Sequence, residues 1–346
     1  MSTRGGVRRL VAVAALATVG SCGSDDRGPE SVWRVEFAPG ARGVALVGDA
    51  LWLGRATTGN ASATAHGELV HVDVTDGSID RRVAVDEVAV VGVVGDTLWV
   101  ASGLEPEQLD PATGALGRGG LDTQGQLANS WSMAAAGGRL FGRTDNTVYE
   151  IDPASGAVTA TVALPPDSSG GEPEVLDNAP LAGAGDLLFV DTTDRGNEAI
   201  AALDVVTGDY RWVTSVERFP VGLVASGDLL WVALQRPSLS QRVLALDIAT
   251  GEVMVDARMP EGTSMLDDGN VLLVAAEDGT LWLLVGADST VFRLDPATGA
   301  AVEQFEFSVR PTTFVVTDDA VVVVSHFDDA VVRVARADFR RVPAVP

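Results

Sequence analysis

Lysine is absent from this chain of 346 residues, so all 24 basic side chains are arginine, set against 48 aspartates and glutamates. The formal charge of −24 excludes an electrostatic grip on nucleic-acid backbones or anionic head groups. Cysteine occurs once, at Cys22, so no intramolecular disulfide can form. Histidine is confined to His66, His71 and His326, which leaves little material for metal or acid–base clusters. Long apolar runs are missing as well. Leu10 to Gly20 is a run of apolar or small residues too short for a membrane-spanning helix, which needs about 20. No helical periodicity longer than two turns follows residue 22, and there is no Gly-rich phosphate loop, Ser/His/Asp signature or Cys-based nucleophile. The apolar fraction of 46% excludes a disordered chain.

What is present begins with an address. Arg4, Arg8 and Arg9 precede the short apolar run, which fits a secretory signal core. It ends in Val19-Gly20-Ser21-Cys22, which resembles the bacterial lipobox, where the cysteine is lipidated and becomes the first residue of the mature chain. The expected organisation is a signal peptide over 1–21, a lipidated Cys22 with a polar tether over 22–31, and one folded unit over 32–346. The resemblance implies an extracytoplasmic protein, lipid-anchored to the bacterial cell membrane, with more than one acyl chain for stable attachment. Cleavage removes three arginines and makes the charge still more negative.

Residues 32–346 carry one unit seven times, at intervals of about 45 residues. Its first phrase is Gly-Asp, one residue, then an apolar and an aromatic residue, as at Leu51-Trp52, Leu98-Trp99, Leu188-Phe189 and Leu230-Trp231, with Gly137-Gly138 in place of Gly-Asp before Leu140-Phe141. Degenerate copies stand at Leu281-Trp282 and Val321-Val322. Its second phrase is an aspartate followed four residues later by glycine, at Asp73, Asp110, Asp152, Asp204, Asp247 and Asp295. Asp338 reads as a worn seventh copy. Both phrases are hairpin signals. The aspartate caps its turn, proline presets φ where it follows, and glycine takes the positive-φ position. The Val-rich runs between them are strands, four to a unit. The fold class is all-β, a seven-bladed β-propeller of four-stranded antiparallel blades.

The repeat resembles those of the YVTN and streptogramin-lyase-like propellers, which share Leu-Trp-Val-Ala followed by Leu-Asp-Pro-x-Thr-Gly. It also resembles the PQQ-like repeat, in Ala202-Leu203-Asp204 through Thr207-Gly208 to Trp212. The first resemblance implies a His/Glu/His cluster with Mg²⁺ on the loop face, and that spacing is not matched here. The second implies docking tryptophans with Gly- and Lys-containing repeats around PQQ and Ca²⁺, and only the Trp212 unit approaches it. No cofactor is therefore assigned, whether PQQ, Mg²⁺ or Ca²⁺.

Ring closure is also legible. Val32 to Phe37 reads as a fourth strand completing the last blade, in competition with Phe339 to Val345, which two prolines weaken. In the sixth blade Leu281-Trp282 belongs to the second strand, because that restores the repeat spacing to Asp295.

The two hairpin types share one face, and the long, varied loops share the other, where binding chemistry is expected at the channel mouth. The aromatic at the repeat position packs between blades. Candidate ligand residues at strand entries are Arg42, Asp86, Glu87, Asn129, Trp131, Asn178, Arg218 and Arg310. Trp131 is either a plug in the mouth or a stacking platform. The three arginines either hold a carboxylate or phosphate or pair with Asp86, Glu87 and Asp177. His66 and His326 fall on neighbouring blades, and His71 sits in a strand as satisfied structure. The expected function is a non-catalytic binding or scaffold role for a monomer, through a protein partner or small anionic ligand. The alternative is a propeller enzyme of lyase-like or quinoprotein-like type.

Overall fold

The structure is a computed structural model that describes residues 33–36, 41–47, 50–56, 67–85, 90–94, 97–102, 105–111, 113–117, 132–144, 147–152, 157–164, 180–194, 197–217, 219–235, 241–260, 263, 271–276, 278–325 and 327–342. Among these residues the strands form seven antiparallel sheets, built in chain order from 41–85, 90–117, 132–163, 181–215, 219–258, 271–306 and 313–335. We number these blades 1 to 7. Their inner strands neighbour one another in sequence, and Thr313–Val316 of blade 7 lies beside Ala41–Val47 of blade 1, which closes the ring. Among the described residues no helix is long and apolar enough to cross a membrane.

Blade 5 shows how the sequence phrases build a blade. Phe219–Ser226 and Leu229–Gln235 are joined at Gly227 and Asp228, and Arg242–Asp247 and Val253–Arg258 by the Asp247 turn. The Asp247 carboxylate accepts the backbone N–H groups of Ala249 and Thr250 at 3.0 and 2.8 Å. The Gly251 N–H returns to the Asp247 carbonyl at 2.8 Å, with Gly251 at φ +72°. The same N–H to carbonyl closure recurs at Asp73, Asp110, Asp204 and Asp295, at 2.7 to 2.9 Å. Leu229 pairs with Asp247, so both hairpins of the blade emerge on one face, and the Ile248 N–H bonds the Asp228 carbonyl at 3.0 Å. Blade 4 repeats that link from Val205 to Asp186 at 2.9 Å. Each turn thus satisfies its own backbone and fastens the adjacent turn.

The core runs around the ring between sheets. Trp52, Trp99, Phe141, Phe189, Trp231 and Trp282 are at most 1% exposed, which bears out the packing role of the repeat aromatic. Trp52 clusters with Leu98, Val100 and Leu109 of blade 2, Trp231 with Leu273 and Leu283 of blade 6, and Trp282 with Phe314 and Val323 of blade 7. Burying each such side chain contributes about 1.5–3 kcal/mol. Between blades 3 and 4 the inner strands meet at backbone distance. A β-carbon on Gly183 would stand 1.9 Å from the Ala135 carbonyl oxygen, so only glycine fits there.

The first and last described segments are both sewn into the ring, in different blades. Trp33–Glu36 pairs with Ala330–Arg333 as the outer strand of blade 7, as the sequence predicts. The C-terminal segment goes elsewhere: Arg340–Arg341 pairs with Glu303 and Gln304 as a fifth strand of blade 6. Leu281–Val285 is the second strand of blade 6 and Val271–Ala275 its inner strand, in agreement with the repeat alignment. Asp338 is not a seventh turn aspartate. Ala335, which pairs with Ala320, takes that place, and Asp338 ends a single 3-10 turn, Arg336–Asp338, that swings the chain back to blade 6.

Candidate functional site

Of the residues singled out at the channel mouth, Arg310 lies within the described residues with its side chain. Arg42 sits at the irregular entry of the inner strand Ala41–Val47, where the pairing skips from Ala41 to Gly43. Asp86, Glu87, Asn129, Trp131, Asn178 and Arg218 lie outside the described residues, as do Asp177, His66, His326 and Cys22.

Arg310 stands on the crossing from blade 6 into blade 7, on the long-loop face. Its backbone is held on both sides. Its N–H donates to the Asp328 carboxylate at 2.7 Å, and its carbonyl lies 2.7 Å from the Ser325 hydroxyl. Ser325 is fully buried, its Oγ is 2.6 Å from the same Asp328 oxygen, and it accepts the Asp328 N–H at 3.0 Å. Two residues on, the Thr312 N–H donates to the Val324 carbonyl at 2.7 Å. The Arg310 guanidinium lies over the ring of Phe327, 4.4 Å from its centroid. Phe327 and Asp328 belong to the loop between the second and third strands of blade 7. Sequence reasoning found the arginine and missed the aromatic under it, because Phe327 sits in a polar loop with no repeat counterpart.

A second polar feature lies buried between blades 3 and 4. Arg143 and Asp191 form an ion pair, at 3% and 4% side-chain exposure, and the Arg143 Nη1 also donates to the Asp191 carbonyl at 3.1 Å. Burial pushes the Asp191 carboxyl up from the usual carboxylate range, and Arg143 offsets part of that shift. Tyr210, half-buried, is pushed up to about 12 by the same loss of water, with Arg143 opposing. The sequence carried a signal for this pair. Arg143 and Asp191 both stand two residues after the repeat aromatic, in adjacent blades, with opposite charge.

On the turn face, acidic side chains are committed to structure. The backbone N–H of Thr207 and the side chain of Arg211 hold Asp204 down at about 2. Arg336 of blade 7 reaches back to blade 6, donating to the Asp278 carboxylate at 2.9 Å and the Thr280 hydroxyl at 2.7 Å while lying over the Trp282 ring. His71 pairs with Asp80, and its ring lies 5.0 Å from that of Trp52, so it serves structure as expected. Among the described residues no group of three or more His, Cys, Asp or Glu is placed to hold a metal ion. Trp212 does not fit a cofactor-stacking role. Its indole N–H donates to the Ile248 carbonyl at 2.9 Å and its ring packs on Phe189, so it joins blade 4 to blade 5.

Residues 84–342 match a PQQ-repeat family model described as outer membrane protein assembly factor BamB. No curated protein matches the chain. Among solved structures, BamB from Moraxella catarrhalis is 18% identical with a TM-score of 0.51, over 85% of this chain and 84% of that one. A streptogramin B lyase structure is 13% identical with a TM-score of 0.59, over 90% and 98%. The Neurospora crassa Pan2 WD40 domain is 10% identical with a TM-score of 0.59, over 92% and 96%. At these identities the likeness to solved structures concerns the fold alone.

Proposed function

The chain belongs to the PQQ-repeat family described as outer membrane protein assembly factor BamB, and from that premise we propose that it is a non-catalytic scaffold of the bacterial cell envelope. It is held at the outer surface of the cytoplasmic membrane by a lipid on Cys22, and it binds a protein partner as a monomer through the long-loop face. The observation that carries this reading is the family match over residues 84–342 on a ring whose described turns at Asp73, Asp110, Asp204, Asp247 and Asp295 close in the same way. The long loops are where the sequence varies from blade to blade. No step is routed through PQQ, since Trp212 is spent on packing.

Fractionation of cells expressing the full chain tests the anchor. Wild type is expected in the membrane fraction and Cys22→Ser in the soluble extracytoplasmic fraction. Retention of Cys22→Ser on membranes overturns the lipid anchor. Cross-linking from long-loop positions, followed by identification of the captured chains, tests the scaffold role. Recovery of a defined envelope protein supports it, and failure to recover any across several conditions counts against it.

A further inference from the structure

Many of the described arginines pair with a carboxylate, and half-buried Arg310 does not. Arg139, Arg143, Arg242, Arg293, Arg333 and Arg336 each pair with a carboxylate: Glu150, Asp191, Asp256, Glu303, Asp319 and Asp278 respectively. Arg310 is half-buried like most of them, yet among the described residues its guanidinium reaches no carboxylate. Asp328 is turned toward the backbone instead: one of its oxygens accepts the Arg310 N–H and lies 2.6 Å from the Ser325 hydroxyl oxygen. The guanidinium lies instead on Phe327.

We propose that Arg310, propped on Phe327, is a preorganised subsite for one carboxylate of the protein partner. This deepens the scaffold reading and rests on it. Three physical arguments support the assignment. First, the backbone of Arg310 is fixed before any ligand arrives. Its N–H donates to Asp328, its carbonyl lies 2.7 Å from the Ser325 hydroxyl, and Pro311 confines it to extended backbone, so little backbone entropy remains to be lost on binding. Second, with its Cζ 4.4 Å from the Phe327 centroid, the guanidinium keeps N–H donors that the ring does not use, and arginine binds a carboxylate through such donors with two parallel bonds. Third, the field of a chain with a net charge of −24 selects among anions. A phosphate near two negative charges meets about twice the long-range repulsion of a carboxylate, so a single arginine here favours the monoanion. The carboxylate can come from an acidic side chain or from a chain terminus, and the experiment separates the two.

The test follows the Arg310 side-chain Nε–Hε resonance in ¹⁵N-arginine-labelled protein, assigned by its loss in Arg310→Gln. The probes are N-acetylglycine for a terminal carboxylate, N-acetylglutamic acid α-amide for a side-chain carboxylate, and inorganic phosphate, each against chloride at equal ionic strength. A saturable shift is expected with at least one carboxylate, at lower concentration than with phosphate. Phe327→Leu, which keeps the fold's apolar contact but removes the ring, should weaken that binding about two- to fivefold. A carboxylate response no larger than that of chloride, or tighter saturation by phosphate, overturns the subsite. Cross-linking separates the two levels of the argument. A partner captured at full yield by Arg310→Gln rejects the subsite and leaves the scaffold reading intact. The absence of any partner in wild type rejects the scaffold reading whatever the resonance does.

Discussion

The indole of Trp212 in blade 4 lies against Gly251 of blade 5, with Cδ2 2.6 Å from where a β-carbon on that glycine would stand. The Thr214 hydroxyl donates to the Gly251 carbonyl at 2.7 Å, so the contact is fastened as well as close. Gly251 also holds φ +72°, which other residues adopt only with strain. Gly251→Ala is therefore expected to cost about 1–3 kcal/mol from backbone strain alone, with more from the displaced indole. The check is a urea unfolding curve, in which the midpoint falls while the slope stays unchanged.

The buried pair of Arg143 and Asp191 gives a prediction with a built-in control. Asp191→Leu leaves a buried guanidinium without its counter-charge and should cost about 3–5 kcal/mol, whereas adding Arg143→Met should recover most of that loss. A double-mutant cycle by chemical denaturation measures the difference. A double variant no more stable than Asp191→Leu alone would show that the two charges are not coupled.

Interlocking at the seam is testable through Phe339, which packs edge-on to Trp282 at 5.2 Å and lies 5.4 Å from Phe305. Phe339→Ala should lose about 3–5 kcal/mol, comparable to Trp52→Ala in blade 1. Differential scanning calorimetry of both variants checks this. A silent Phe339→Ala would mean that the C-terminal segment rests on blade 6 without bracing it.

Acid sensitivity follows from the turn aspartates. The Asp204 carboxyl sits near 2 in the folded chain because the Thr207 N–H and Arg211 stabilise its charged form, and Asp247 is lowered by Thr250 in the same way. A depressed carboxyl contributes stability that is fully present above its unfolded value, about 3.9, and is lost as pH falls through the folded value. Melting temperature should therefore drop between about pH 4 and pH 2, and Asp204→Asn should make that decline shallower. Equal slopes for wild type and variant would contradict the assignment.

The repeat made most of the ring readable because its two turn phrases are self-contained. Asp247 through Gly251 bonds itself, so five or six residues suffice to place two strands. The aromatic position was equally legible, since burial between blades follows from repetition alone. The C-terminal fifth strand was not, because a two-residue pairing at Arg340–Arg341 carries no alternation, and its anchor Phe339 is a single aromatic. Asp338 misled because an aspartate near the right spacing can end a 3-10 turn as readily as it caps a hairpin. At the site, Arg310 was legible as one of three arginines at strand entries in an acidic chain. Its platform Phe327 was not, because a ring in a loop takes its role from what folds over it. The pair of Arg143 and Asp191 could have been read by comparing adjacent copies for opposite charges at one position.

Closure by the first strand also sets the order in which the protein can be completed. Trp33 pairs with Arg333, so a strand that precedes blade 1 in the chain has its partner in blade 7. The seam cannot close until blade 7 has been made. Until then Trp33–Glu36 must wait unpaired, and it is a short strand that carries Arg34 and Glu36, charges that discourage pairing with stray edges. Growth of this molecule is thus blade by blade, but its final step is a single event that tests whether every blade before it is present.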